Sequence, residues 1–110
     1  MTGPGTPASI AAAEAIRRVT AGETWLLDVR ENHEWEAGHI DTAHHIPMGE
    51  LQARQDEIPA DTPILVICHL GQRSWAVTDA LVRAEYPAEN VEGGMDAWRA
   101  AGGFVSRSGR

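Results

Sequence analysis

The sequence predicts a small α/β fold in which helices flank both faces of a doubly wound parallel sheet. Two runs, residues 25–29 and 64–67, are apolar almost throughout, which is typical of parallel strands that helices cover on both faces. Segments with helical patterns lie between the predicted strands, and this alternation favours a parallel sheet. The length of 110 residues fits one domain with one modest core.

The chain is expected to begin with one helix and one strand. An alanine-rich segment, residues 11–21, predicts the first helix. Ser9 or Thr6 is expected to cap the start of this helix, and Gly22 suits its C-terminal exit. The apolar run 25–29 then predicts a strand.

A short helix and a short strand are expected next. Asn32 is predicted to cap a helix over residues 33–37, and Gly38 is predicted to close it. The following strand is expected near residues 43–46, directly before Pro47.

The second half of the chain repeats the alternation of helices and strands. Residues 49–58 predict a weak helix, and residues 64–67 predict the central strand. Residues 74–85 carry inward apolar side chains four apart, which predicts a helix. A brief strand over 90–92 and a last helix over 95–101 complete the pattern.

The charge and cysteine content exclude several classes of protein. Sixteen acidic and nine basic residues give a net charge of −7, which disfavours nucleic acid and anionic membranes as partners. No apolar run approaches the roughly 20 residues of a membrane span, and the first residues lack the features of a secretory signal. One cysteine allows no internal disulfide and suits a reducing compartment. We therefore expect a cytoplasmic protein.

The domain organisation is expected to be simple. Residues 9–103 are predicted to form a single domain, residues 1–8 a disordered N-terminal tail and residues 104–110 a polar C-terminal tail. We expect a monomer or a weak homodimer.

Cys68 stands where the central strand is predicted to turn into a helix. In α/β proteins ligands bind at this end of a strand, and the amides and dipole of a helix N-terminus favour negative charge there. A helix N-terminus and a nearby cation both lower the pKa of a thiol, and Arg73 supplies the cation, with His69 as a second candidate. Gly71 tolerates the positive φ that would let the loop amides converge on the sulfur. Cys68 is therefore predicted to be a nucleophilic thiolate.

The residues of this loop also have simpler interpretations. Cys68 could be a buried and inert thiol, since free cysteine is among the most buried residues, although its place between strand and helix favours the functional interpretation. His69 on its own suits a solvent-facing loop, and Gln72 suits a solvated turn. Leu70 either covers one wall of a pocket or simply packs.

Asp28 and Arg30 end another predicted strand. In a parallel sheet this end lies on the same edge as Cys68, so the two residues could brace the loop from behind. An ion pair or a turn cap on the rim is an equally good interpretation.

Two further sets of polar residues carry weaker signals. The spacing of the histidines is not that of metal ligands, and the chain has no second cysteine, so no metal site is expected. The histidines are His33, His39, His44, His45 and His69. If residues 44 and 45 are extended, their side chains point to opposite faces. The acidic group Glu31, Glu34 and Glu36 is expected to be a solvated helix face rather than an acid–base site.

Three segments of the sequence resemble the signatures of the rhodanese-like domain family, and together they extend the resemblance over residues 9–103. The first lies in residues 28–47 and includes Asp-Val-Arg-Glu, Gly-His-Ile and Ile-Pro. The second, residues 68–74, reads Cys-His-Leu-Gly-Gln-Arg-Ser, in the C-x-x-G-x-R form. The third, residues 90–98, reads Asn-Val-Glu-Gly-Gly-Met-Asp-Ala-Trp.

This resemblance implies a sulfurtransferase that needs no metal, nucleotide or organic cofactor. By motif position Cys68 would take a sulfane sulfur as a persulfide and pass it to a thiophilic acceptor such as cyanide or a thiol. The implied substrate cradle is His69, Leu70, Gly71, Gln72 and Arg73, and the residues assigned to its support are Asp28, Arg30 and Ser74. The implied partners are a small-molecule sulfur donor, the acceptor and a protein in a sulfur relay.

Three alternatives bear on the function. Some domains of this fold are non-enzymatic persulfide carriers or docking and regulatory modules, although loss of the cysteine would mark the docking class. Related phosphatases place five residues between Cys and Arg, whereas four intervene here, so phosphate esters are not expected to be substrates. Arg73 is the one permanent cation of the loop, which weakens the case for the thiosulfate dianion as donor and makes a protein or low-molecular-weight persulfide a fair alternative.

The sequence departs from the family pattern at Thr42 and Glu85, where glycine is frequent. Glycine at a helix exit adopts a left-handed conformation that Glu85 would reach only with strain. We therefore expect this helix to end differently, with Pro87 stopping it.

Overall fold

The computed structural model describes residues 8–107, which form a five-stranded parallel sheet and four α-helices. The strands are β1 (Ser9–Ile10), β2 (Trp25–Asp28), β3 (His44–His45), β4 (Ile64–Ile67) and β5 (Ala88–Val91). The helices are α1 (Ala12–Thr20), α2 (Asn32–Ala37), α3 (Gln72–Arg83) and α4 (Gly94–Ala100).

The strand order β1-β5-β4-β2-β3 places β4 at the centre of the sheet. Within the parallel ladders Asp28 lies beside Ile67, and Val66 lies beside Asn90. The carboxyl ends of these neighbouring strands therefore share one edge, where ligands bind in doubly wound sheets. The predicted α/β fold is confirmed.

Side chains alternate along β4 and divide the core into two apolar clusters. Ile64 and Val66 pack with Val77 and Leu81 of α3 on one face. Leu65 and Ile67 pack with residues of α1 and α4 on the other, a cluster that includes Ala15, Met95 and Trp98. Because the strand period is two, Cys68 continues the α3 face and belongs to the first cluster.

Two helix caps differ from the prediction. Ser9 lies in β1, a strand the sequence analysis missed, and α1 begins after Ala11 without a side-chain cap. Thr6 lies outside the described residues. Glu31 rather than Asn32 caps α2, because Glu31 and Glu34 form a reciprocal capping box that satisfies the free amides of the first turn.

The helix predicted over residues 49–58 is wrong. Two short 3₁₀ turns, Met48–Glu50 and Gln55–Glu57, stand in its place. Arg54 between them leaves helical dihedral angles (φ −113°, ψ 22°), while its guanidinium donates to the carbonyl of His45 over 3.3 Å. A weak local preference yields here to contacts with the rest of the fold.

The exit of α3 also differs from the prediction. Glu85 takes the left-handed conformation itself, with φ +72°. The amide of Glu85 donates to the carbonyl of Val82, and that of Tyr86 to the carbonyl of Leu81, each over 2.9 Å. These two bonds form a Schellman motif, so Glu85 occupies the position that usually holds glycine.

The last described residues contact the domain. Ser106 forms an antiparallel bridge with His39, and the indole Nε1 of Trp98 donates to the carbonyl of Phe104 over 3.1 Å. Within residues 8–107, none of the helices combines the length and the apolar character needed to cross a membrane.

Candidate active site

Cys68 directly follows β4 at the carboxyl edge of the sheet, and only 1% of its surface is exposed. It lies in a small pocket of about 80 Å³, whose lining residues are Cys68, His69, Leu70, Gln72 and Arg73. The structure thus brings the predicted cradle residues together around the thiol, with Gly71 in the same loop. The pocket has room for little more than a sulfur atom and a small group attached to it.

Three hydrogen-bond donors converge on the sulfur of Cys68. The amide of Gly71 donates over 3.1 Å, the amide of Ser74 over 3.3 Å, and the hydroxyl of Ser74 lies 3.3 Å away. Ser74 is fully buried, so its two donors act away from competing water. Such an arrangement stabilises the thiolate over the thiol.

The loop backbone is turned so that its amides face the sulfur and its carbonyls face α4. Gly71 has φ +105°, a conformation that glycine reaches without a steric penalty. The carbonyls of Cys68 and His69 accept from the amides of Met95 and Asp96 over 2.8 and 3.2 Å. These bonds fix the loop against the start of α4.

Gly94 allows this close approach of loop and helix. It has φ +59°, and a Cβ at this position would collide with the carbonyl oxygens of Cys68 and His69. The two-glycine turn before α4 is therefore part of the site, because any side chain on Gly94 would displace the cysteine loop.

The pKa of the Cys68 thiol reflects two opposed effects. Burial alone raises this pKa, whereas the hydroxyl and amide of Ser74 and the amides of Gly71 and Leu70 lower it, and the net shift is downward. The donors in direct contact with the sulfur are the main causes of this decrease in pKa, and Arg73 interacts with Cys68 through its charge rather than through a hydrogen bond.

Ser74 connects Cys68 to Asn90, a residue for which the sequence analysis assigned no role. The hydroxyl of Ser74 lies 2.6 Å from Asn90 Oδ1, and Asn90 Nδ2 donates to the hydroxyl of Ser9 over 3.3 Å. A hydroxyl has one proton to donate, so Asn90 and the sulfur compete for it. The available signal was positional, since Asn90 lies on a strand adjacent to β4.

Arg73 forms a two-pronged ion pair with Glu34 rather than with the sulfur. Nη1 donates to Oε1 over 2.7 Å and Nη2 to Oε2 over 2.8 Å. The Arg73 guanidinium lowers the pKa of Glu34 to about 2. The expectation of a solvated acidic face is therefore wrong for Glu34, whose side chain is 20% exposed.

Asp28 and Arg30 form a buried ion pair, with Arg30 Nη2 2.8 Å from Asp28 Oδ2. The same Nη2 donates to the carbonyl of Gly38 over 2.8 Å, and Nη1 donates to the carbonyl of Glu34 over 3.3 Å. The pair thus contacts α2, the helix that carries the partner of Arg73, and any support it gives the loop passes through that helix.

The remaining loop side chains are exposed. His69 Nε2 lies 3.2 Å from Asp96 Oδ1, and Leu70 is 54% exposed. Gln72 lines both the sulfur pocket and a wider groove beside it.

Three of the other histidines stack on tryptophans. His44 stacks on Trp25, whereas the rings of His39 and His45 flank Trp35 with centroid distances of 3.8 and 4.6 Å. In the part of the chain that the structure describes, no group of three or more His, Cys, Asp or Glu side chains could hold a metal ion.

Comparison with known proteins identifies related sequences and folds. The family model for the rhodanese-like domain matches residues 11–101. The proposed sulfurtransferase YtwF of Bacillus subtilis is 40% identical over 76 residues, covering 69% of this chain and 74% of YtwF. A rhodanese-related protein from Thermoplasma volcanium superimposes with a TM-score of 0.84 at 32% identity, covering 90% of this chain and 97% of that protein.

Two further relatives are longer proteins. The HTH-type transcriptional regulator Rv0324 of Mycobacterium tuberculosis is 39% identical over 86% of this chain, and the proposed sulfur carrier protein YrkF of Bacillus subtilis is 38% identical over 66% of it. This chain spans only 42% and 40% of their respective lengths.

Proposed function

This chain belongs to the rhodanese-like domain family, and on that premise we propose that it is a sulfurtransferase whose sulfur carrier is Cys68. Cys68 takes a sulfane sulfur from thiosulfate or another donor and passes it to cyanide or a thiol. The observation that carries this proposal is the convergence of three donors on one buried sulfur.

In the first half-reaction the Cys68 thiolate attacks the outer sulfur of the donor. A bond forms between the two sulfurs, the donor's own bond to that sulfur breaks, and sulfite or a thiolate leaves with the bonding electrons. The persulfide on Cys68 carries one negative charge, and the amides of Gly71 and Ser74 that stabilise the thiolate are placed to stabilise this anion as well.

In the second half-reaction the acceptor attacks the outer sulfur of the persulfide. The bond between the two sulfurs breaks, and Cys68 leaves as a thiolate. A leaving group is better when its pKa is low, so the donors on the sulfur assist both halves of the cycle. Because this chemistry needs a free thiol, it fits a reducing compartment such as the cytoplasm.

A second candidate function is that of a persulfide carrier or docking module without turnover of its own. The relative named as a sulfur carrier and the one named as a transcriptional regulator favour it, because this chain spans less than half of each. In that case Cys68 would load with sulfur but would release it only to a partner protein.

Intact-mass measurement after incubation with thiosulfate or a persulfide tests the proposal. We expect the protein to gain the mass of one sulfur atom, and we expect Cys68→Ser to gain none. Addition of cyanide should return the original mass and form thiocyanate. Loading without release to cyanide or to small thiols would favour the carrier, and no loading from any donor would overturn both the sulfurtransferase and the carrier and leave the docking module.

A phosphatase assay tests whether the protein hydrolyses phosphate esters, as related phosphatases do. Four residues separate Cys68 from Arg73, one fewer than in the related phosphatases, so the loop has fewer amides with which to ring a tetrahedral phosphate. We expect no Cys68-dependent hydrolysis of an aryl phosphate, and robust hydrolysis that Cys68→Ser abolishes would contradict the assignment.

A further inference from the structure

The electrostatics of the sulfur pocket differ from those expected of a loop that contains arginine. Arg73 is the one lysine or arginine in residues 68–74, and both of its terminal nitrogens are bound to the carboxylate of Glu34. The ion pair is neutral as a unit. The loop therefore presents hydrogen-bond donors to a substrate but little net positive charge.

The surroundings of the pocket add negative charge. Besides Glu34, the charges of Cys68 and Glu31 also raise the pKa of Arg73, and Asp96 lies 3.2 Å from His69, which lines the pocket. Glu92 lines a groove next to the loop. A donor with several negative charges would approach against this field, and the net charge of −7 adds to the repulsion.

The groove beside the pocket suits an organic group. It has a volume of about 680 Å³ and shares Leu70 and Gln72 with the sulfur pocket. Two of its lining side chains are exposed and apolar, Leu70 at 54% and Trp75 at 40%, and Glu92 lines the same groove. An alkyl chain would contact the apolar side chains, and a cationic group on that chain would be attracted to Glu92.

We propose that the sulfur donor is an organic persulfide with no negative charge besides the persulfide itself, and that Glu34 sets this preference over thiosulfate by neutralising Arg73. The inference rests on the proposed function and narrows its donor class. The organic part of the donor occupies the groove of Leu70, Trp75 and Glu92, while the outer sulfur of the donor reaches Cys68.

The charge balance of the transfer supports this choice. When the Cys68 thiolate attacks thiosulfate, the pocket gathers three negative charges, which end as a persulfide anion and a sulfite dianion. With a persulfide on an alkylammonium group, the same attack breaks one sulfur–sulfur bond and releases a thiolate that carries its own cation. The net charge of that reacting system is one negative charge, which a site with a neutral ion pair accommodates more easily.

A series of donors with matched chain length tests the inference. The persulfides of 2-aminoethanethiol, 2-mercaptoethanol and mercaptoacetate place an ammonium, a hydroxyl and a carboxylate at similar distances from the sulfur, and thiosulfate completes the series. The rate at which Cys68 gains one sulfur is followed by rapid quenching and intact mass. Each rate is divided by the rate at which the same donor transfers its sulfur to 2-mercaptoethanol in solution. This ratio corrects for the intrinsic reactivity of the donor.

We expect the normalised rates to fall in the order ammonium, hydroxyl, carboxylate, thiosulfate, with at least about tenfold between the ends. The differences should shrink at high salt, since screening weakens them. Glu34→Gln keeps the shape of the side chain, removes its charge and should raise the thiosulfate rate about tenfold. The matched control is Glu36→Gln on the same helix, where the side chain is exposed, and it should keep the native order.

Glu92→Gln tests the groove separately. It should remove the advantage of the ammonium donor over the hydroxyl donor and leave the other ratios in place. Thiosulfate loading as fast as the ammonium donor, or a thiosulfate rate that Glu34→Gln leaves unchanged, would overturn the inference while the proposed function stands. Failure of every donor to load Cys68 would overturn both.

Discussion

The amide of Met95 donates to the carbonyl of Cys68 over 2.8 Å, and this bond joins the first turn of α4 to the cysteine loop. The first amides of a helix have no partner within the helix. Here two of them bind loop carbonyls, including that of His69, and the loop amides face the sulfur instead. The geometry of the thiol thus depends on a helix that begins 26 residues later in the chain, at Gly94.

Gly94→Ala should lower both the stability of the fold and the fraction of Cys68 that is ionised. The left-handed conformation of Gly94 costs a side chain about 1–2 kcal/mol, and its Cβ would also collide with two loop carbonyls. We expect a total loss of at least about 3 kcal/mol in the free energy of unfolding and a higher pKa for Cys68. Urea unfolding and the pH dependence of alkylation measure the two effects.

Gly22→Ala is the matched control for Gly94→Ala. Gly22 has φ +73°, but a Cβ there would meet no atom within 4 Å. This variant should lose only the conformational cost of about 1–2 kcal/mol and should leave the Cys68 pKa unchanged. Equal losses in the two variants would mean that the contact with the loop carbonyls contributes nothing.

Ser74→Ala should raise the pKa of Cys68, because it removes the hydroxyl that lies 3.3 Å from the sulfur. The rate of alkylation at neutral pH should fall with the thiolate fraction. Arg73→Ala should raise this pKa less, since its guanidinium is bound to Glu34. The measurement is the rate of reaction with iodoacetamide as a function of pH.

The control for Ser74→Ala is Thr78→Val on the same helix. The Thr78 hydroxyl donates to the carbonyl of Ser74 over 2.7 Å, so its loss perturbs the same buried region without removing a donor from the sulfur. A larger pKa increase in Arg73→Ala than in Ser74→Ala would show that the cation, not the direct donors, sets the acidity.

Local sequence was sufficient to place Cys68 at the carboxyl edge of the sheet. The four apolar residues of β4 are contiguous, so the strand and the cysteine that follows it could be located within one residue. The position of Gly71 before a helical pattern indicated a turn with positive φ, and the structure has one there.

The partners of the loop could not be predicted in the same way. Glu34 and Arg73 are 39 positions apart, and Ser74 and Asn90 are 16 apart. Such pairs arise when the sheet order brings separate segments together, and no local period encodes them. Within α2, the capping spacing of Glu31 and Glu34 was a visible local signal, but the second role of Glu34 depends on tertiary contacts.

Glu85→Gly should stabilise the protein. Glu85 is exposed and holds the left-handed position of a Schellman motif with φ +72°, where glycine avoids a penalty of about 1 kcal/mol. We expect the melting temperature to rise by about 4 °C without a change in Cys68 reactivity. Glu85→Ala removes the same side chain but keeps the strain, so an equal gain in that variant would contradict the conformational explanation.

The ion pair of Glu34 and Arg73 should make stability depend on acid pH. Arg73 lowers the pKa of Glu34 from 4.5 to about 2 in the folded protein, so the folded state favours the ionised carboxylate. Its contribution is complete above pH 4.5 and is lost as the pH falls toward about 2. Glu34→Gln should therefore be less stable than the native protein at neutral pH.

That difference in stability should shrink between pH 4.5 and about 2, the interval set by the two pKa values of Glu34. Other carboxylates titrate in the same range, notably Glu14, whose pKa is also lowered to about 2. The comparison of native protein with Glu34→Gln removes their common effect, and Glu36→Gln provides the baseline for loss of an exposed charge on α2. The midpoints of urea unfolding at a series of pH values measure the difference in stability between the native protein and Glu34→Gln. A difference that stays constant down to pH 2 would mean that the Glu34 carboxylate does not contribute through its charge.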